Sequence, residues 1–87
     1  MNVQQFKETL LQLGYKVKSI SQDSYGYHLR YIKRNKEICI QHFYSEDKYN
    51  VYFDINRIGY SVELSQHGVK DFSKVLKTIQ VFIKKVS

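Results

Sequence analysis

The side chains best suited to chemistry in this sequence are three histidines and one cysteine, and their placement argues against a reactive centre. His28, His42 and His67 are scattered, with no His-x-x-x-His pair, and Cys39 is the single cysteine. A zinc site needs three or four convergent ligands at recognisable spacing, so neither a metal nor another cofactor is expected. A nucleophilic cysteine wants a nearby base and an exposed, electropositive setting. Cys39 stands between Ile38 and Ile40, the pattern of a cysteine buried in a strand. The four glycines are dispersed and form no loop that could cradle a phosphate. The sequence therefore predicts a binding protein with no catalytic residue.

Two features could carry binding. The first is basic: Arg30, Lys33, Arg34 and Lys36 cluster around one turn, and Lys70, Lys74 and Lys77 mark one side of a C-terminal helix. They are the candidate contacts for nucleic acid, although a charge run on a helix also serves as its solvated face. The second is tyrosine, of which there are eight. Tyr25, Tyr44, Tyr49 and Tyr52 fall at turns or on the polar side of strands, where a tyrosine offers large apolar area, a hydroxyl and few rotatable bonds. With His28, Arg30 and Arg34 they form the candidate partner-binding set. If Tyr52, His28 and Arg30 share one sheet face, that face could stack on bases or anchor a protein interface.

The elements that must position these residues follow from hydrophobic period. Val3, Phe6, Leu10 and Leu13 recur at helical spacing and Gly14 supplies a stop, so a helix is expected over about 3–13. From Tyr15 the period changes to two, as in a strand buried on one side. Ser21 to Gly26 reads as a polar turn, Tyr27 to Lys33 as a second strand, and Arg34 to Glu37 as a hairpin connection. A third strand over 38–44 carries apolar groups on both faces. After a turn at 45–48, Tyr49, Val51, Phe53 and Ile55 alternate against Asn50, Tyr52 and Asp54 as a fourth strand. Asn56 to Gly59 is a tight connection, Tyr60, Val62 and Leu64 form a short last strand, and Gly68 breaks the chain. Phe72, Val75, Leu76, Ile79, Phe82, Ile83 and Val86 then repeat at intervals of three and four, the strongest amphipathic helix in the chain. The expected fold is α+β: an antiparallel meander of four to five strands with an N-terminal and a C-terminal helix packed on one face.

A chain of 87 residues with 43% hydrophobic and 25% charged residues is ordinary globular material for one domain, 1–87. The lone cysteine, the lack of an N-terminal leader pattern and the absence of a long apolar run predict a cytoplasmic protein with no membrane partner. Fourteen Lys and Arg against eight Asp and Glu leave a formal charge of +6, which favours an acidic protein or nucleoprotein surface, or nucleic acid itself.

Three family resemblances bear on function. The order helix, strands, lysine-bearing helix resembles the double-stranded RNA-binding domain. The opening helix, Gly14, the following strand and Tyr25-Gly26-Tyr27-His28 resemble the HicA-type toxins. The family's Gly-Ser-His-His core is absent, so its nuclease role is not carried over to His28 by the resemblance. A small RNA-cleaving toxin with His28 as general base stands as a third functional reading, after protein docking and nucleic-acid binding. The length, Met1-Asn2, Tyr15-Lys16-Val17-Lys18 with Asp23-Ser24, and a last helix holding Phe72 and Thr78-Ile79 are similar to the small α-β-β-β-α anti-CRISPR proteins. That similarity implies a phage or mobile-element protein that works in the host cytoplasm, inhibiting a defence nuclease by covering its surface. Such inhibitors present acidic residues in place of DNA. Here only Glu46, Asp47, Asp54, Glu63 and Asp71 lie in the corresponding part, so the resemblance implies a different target or a different face of it.

Overall fold

A capping box starts the first helix. The Asn2 side chain accepts from the Gln5 N–H at 2.8 Å, and the Gln5 side chain accepts in return from the Asn2 N–H at 3.0 Å. Two otherwise orphaned donors are thereby satisfied. The helix, α1, spans Val3–Gln12 and ends at Leu13, after which Gly14 takes φ +95°. Leu13, expected on the buried stripe, is 38% exposed because it lies past the last turn.

The computed structural model describes residues 1–57 and 60–86, with the backbone alone for 56, 57, 60, 61 and 86. Ile58 and Gly59, expected in a tight connection, and the Val86 side chain lie outside the described residues. Five strands follow α1: β1 (Lys16–Gln22), β2 (Gly26–Lys33), β3 (Lys36–Phe43), β4 (Tyr49–Arg57) and β5 (Tyr60–Val69). They form one antiparallel sheet in sequence order. Helix α2, Phe72–Val86, closes the chain. The α+β meander with a helix at each end is the architecture that the hydrophobic periods predict.

Register sorts the side chains into two faces. Leu29, Tyr31, Ile38, Ile40, Val51, Phe53 and Ile55 point toward the helices and are buried, meeting Phe6 and Leu10 of α1 and Phe72, Val75 and Ile79 of α2. The rings of Phe6 and Phe72 lie 4.9 Å apart where the helices touch. Each such side chain contributes about 1.5–3 kcal/mol of burial, so α2 is a main support of the sheet. Asp71 caps it by accepting from the Ser73 N–H at 3.0 Å. Among the described residues no helix is long and apolar enough to cross a membrane.

Several expectations are corrected. Strand β1 is exposed along its whole length, with Val17 and Ile20 46% and 65% exposed, because it is an edge strand that the helices do not cover. The connection between β2 and β3 is only Arg34 and Asn35, since Lys36 and Glu37 already pair with Lys33 and Ile32. Strand β5 is long and runs through Gly68. There His67 and Gly68 together oppose Asn50 in a bulge, and Gly68 takes the positive φ that such an irregularity favours. Lys70 precedes α2 and pairs with Asp47 at 3.6 Å, so it is not on the lysine side of that helix. Cys39 is half-buried on the face away from the helices, directly between Arg30 and Tyr52.

Candidate functional site

The densest group of exposed aromatic residues lies at one end of the meander, where the β1–β2 and β3–β4 turns meet. Asp23 builds the first turn by accepting from the N–H groups of Tyr25 and Gly26 at 2.8 and 3.0 Å. The Tyr44 N–H then donates to the Tyr25 carbonyl at 2.8 Å, tying the two turns together. Tyr25 projects with 76% exposure, beside Tyr44 at 48% and Phe43 at 40%.

Of these, Tyr44 rests on an inner aromatic layer on the helix side of the sheet, whereas Phe43 points to the open face. The His42 and Tyr49 rings stack at 4.2 Å, Tyr27 lies 5.6 Å from His42, and Tyr44 reaches both His42 and Tyr27 at 6.0 and 6.3 Å. Tyr49 continues the chain of rings edge-on to Phe72 of the core at 5.5 Å. The Gln22 side chain donates to the Tyr44 hydroxyl at 2.7 Å. Lys7 sits over the Tyr27 ring at 4.9 Å, and its ammonium donates to the Tyr27 hydroxyl at 3.4 Å. Burial, helped by the neighbouring Tyr49 hydroxyl, pushes the Tyr27 phenol up to about 12. Burial also lowers the Lys7 ammonium.

A second group occupies the open sheet face. Arg30, Cys39 and Tyr52 lie side by side across three strands, so Arg30 and Tyr52 share one face with Cys39 between them. They border a shallow depression of about 240 Å³ with Glu37, Asp54 and Glu63. Arg30 forms a short ion pair with Glu37. That hydrogen bond holds the Glu37 carboxyl below its ordinary range. Burial first, then the Glu37 charge, pushes the Cys39 thiol up. Such a thiol is a poor nucleophile at neutral pH. Tyr52 is half-buried with its ring edge-on to His67 at 5.5 Å. Three carboxylates around one committed guanidinium make this patch unwelcoming to phosphates.

The expected binding set therefore divides. Tyr25 and Tyr44 stand at the aromatic end, with Tyr49 beneath Tyr44 on the helix side of the sheet, where its alternation with Val51 and Phe53 puts it. His28 joins that end from the open face, lining a depression of about 170 Å³ with Gly26, Gln41 and Phe43. Arg30 and Tyr52 lie in the middle of the open face. Arg34 belongs to the opposite end of the sheet with Lys33 and Lys36, roughly 25 Å away along an eight-residue strand. Lys74 and Lys77 are exposed on α2. Sequence reasoning missed Phe43 and His42. Their signal was available: Phe43 is an apolar residue on the strand parity that faces away from the core. Among the described residues no group of histidine, cysteine and carboxylate side chains could hold a metal ion.

Neither a family model, nor a curated protein, nor a solved structure matches this chain.

Proposed function

We propose that this chain is a small, non-enzymatic binding protein that docks on a protein or nucleoprotein target through the aromatic end of its sheet. The observation that carries the reading is the exposure of Tyr25, Phe43 and Tyr44 together at one end of the sheet, with Tyr44 set on a fixed layer of rings. Large apolar surface held out in water costs solvation free energy that a partner recovers, and side chains already ordered lose little entropy on binding. Tyrosine anchors of this kind dominate interface energetics. The raised Cys39 thiol is a poor nucleophile at neutral pH, which supports a role without catalysis.

The target class we favour is a host defence nuclease, in keeping with the resemblance to anti-CRISPR proteins. The test compares wild type with a folded Tyr25→Ala/Phe43→Ser/Tyr44→Ala variant in inhibition of DNA cleavage by Cas nucleases and in partner capture from the native host. Loss of inhibition, or loss of one defined partner, is expected in the variant. Equal behaviour of both proteins sinks the aromatic end as the contact. A second reading, nucleic-acid binding, rests on Lys74 and Lys77, which are exposed and make no ion pair among the described residues.

A further inference from the structure

The opposite end of the molecule carries a different feature, a cleft of about 400 Å³ between α1, α2 and the β2–β3 hairpin. Its walls are apolar: Leu13 from the end of α1, Leu76 and Ile83 from α2, and Ile38 from the sheet beneath. Its polar rim carries Gln80 and three cations, Lys33 and Lys36 from the hairpin and Lys84 from the last turn of α2, and among the described residues no carboxylate lines it.

Two physical features of the rim call for an anion. Lys33 and Lys36 are direct cross-strand partners, and like charges placed opposite each other are destabilising. Arg34 adds a third positive charge in the same turn, yet none of Lys33, Arg34, Lys36 or Lys84 makes an ion pair among the described residues. Lys33 is also held in place. Its ammonium donates to the Leu13 carbonyl at 2.6 Å and lies 5.8 Å from the centre of the Tyr15 ring. An ammonium carries three donors, so that carbonyl leaves two for a ligand at the cleft mouth.

Cleft size decides the occupant. Its volume lies in the range of small-molecule sites, roughly 300–1,000 Å³. A protein partner of ordinary affinity would need a surface of roughly 800 Å² on each side. We propose that this cleft binds a single-chain fatty acid, with the hydrocarbon between Leu13, Leu76 and Ile83 and the carboxylate on Lys33, Lys36 and Lys84. The apolar walls take the chain out of water, and the lysines neutralise the head without burying an unpaired charge.

Titration of the full chain with monomeric dodecanoate, followed by amide NMR shifts, tests the proposal. Saturable one-to-one binding is expected, with the shifts centred on residues 13, 33, 36, 76 and 83. The Lys33→Gln/Lys36→Gln variant should weaken it by roughly tenfold or more, as loss of charge-assisted hydrogen bonds does. Leu13→Asp should weaken it as well, by placing a carboxylate against the ligand. If Leu13→Asp fails to fold, the half-buried Lys33/Lys36 pair, together with Lys84→Gln at the exposed side of the rim, still decides the matter. Dodecanol should bind more weakly, and dodecyltrimethylammonium should not compete. Equal binding of the ammonium compound, unsaturable uptake, or shifts elsewhere would overturn the proposal. So would binding to anionic phospholipid vesicles, an acidic helical peptide or an oligonucleotide in place of monomeric dodecanoate.

Discussion

The carbonyl oxygen of His42 occupies the space that a side chain on Gly26 would need: a Cβ built on Gly26 would lie 2.0 Å from that oxygen and 3.0 Å from the Phe43 Cα. Strands β2 and β3 approach this closely where the aromatic end begins, and backbone atoms cannot move aside as a flexible side chain can. Gly26→Ala must therefore splay the two strands, at a cost of about 1–3 kcal/mol or more for overpacking. A thermal melt of the variant checks this, and an unchanged melting temperature would show that the strands do not meet as described.

The stack of His42 on Tyr49 separates the structural aromatic residues from the contact residues. Tyr49 is half-buried and bridges His42 to Phe72, so Tyr49→Ala should cost about 2–3 kcal/mol, somewhat below the range for fully buried aromatic truncations. Tyr25, at 76% exposure, should change stability by less than about 0.5 kcal/mol on truncation. Its loss should show instead as weaker partner binding. Equal destabilisation by both substitutions would contradict the two-layer arrangement.

Core truncation in α2 should be severe. Ile79 is 2% exposed and faces the sheet, and Ile79→Ala should cost about 2–5 kcal/mol, a large part of the stability of so small a domain. Chemical denaturation measures it directly.

Much of this architecture is legible in the sequence, and the exceptions have identifiable causes. Strand β4 alternates cleanly because Val51, Phe53 and Ile55 lie under the helices while Asn50 and Tyr52 face away. Val17 and Ile20 carry the same apolar signal in β1, but apolar character cannot tell a covered strand from an uncovered edge. Cys39 misleads because its apolar neighbours, Ile38 and Ile40, point to the other face in a period-two element. Gly68 reads equally as a strand end or a bulge, since both favour positive φ. The aromatic end depends on pairing between distant turns: Tyr25 meets Tyr44, and Tyr49 meets Phe72, only once the strands are in register.

Alkaline pH should loosen the same end of the molecule. The fold raises the Tyr27 phenol from its ordinary 10.0 to about 12, chiefly by burial. A raised value means the folded state favours the neutral phenol, so its stabilisation is complete below about pH 10 and declines as pH rises through about 12. Burial raises the Tyr15 and Tyr31 phenols as well, so tyrosinate absorbance should show a late-titrating fraction, and Tyr27→Phe should reduce it by one phenol. A wild-type titration in which every exposed and buried phenol ionises together near pH 10 would refute it.

The positive charge and the tyrosines give opposite kinetic signatures, which makes their comparison the sharpest test of what the chain binds. Lys74 and Lys77 are exposed on α2, and replacing both with Gln should leave the fold nearly untouched. If nucleic acid is the partner, each lysine can neutralise one phosphate, so the double change should flatten the log-log salt dependence of binding by about 1.8. If a protein is held at the aromatic end, the same change should chiefly slow association, whereas Tyr44→Ala should speed dissociation. The second pattern is the expected one. The lysines occupy the side of α2 that any solvated helix would charge, but Tyr44 is exposed while its ring and hydroxyl are fixed by His42 and Gln22. Fixing an exposed aromatic ring gains little for the fold and much for an interface. Micromolar binding of RNA or DNA at physiological salt, abolished by the lysine change and indifferent to Tyr44→Ala, would reverse this conclusion.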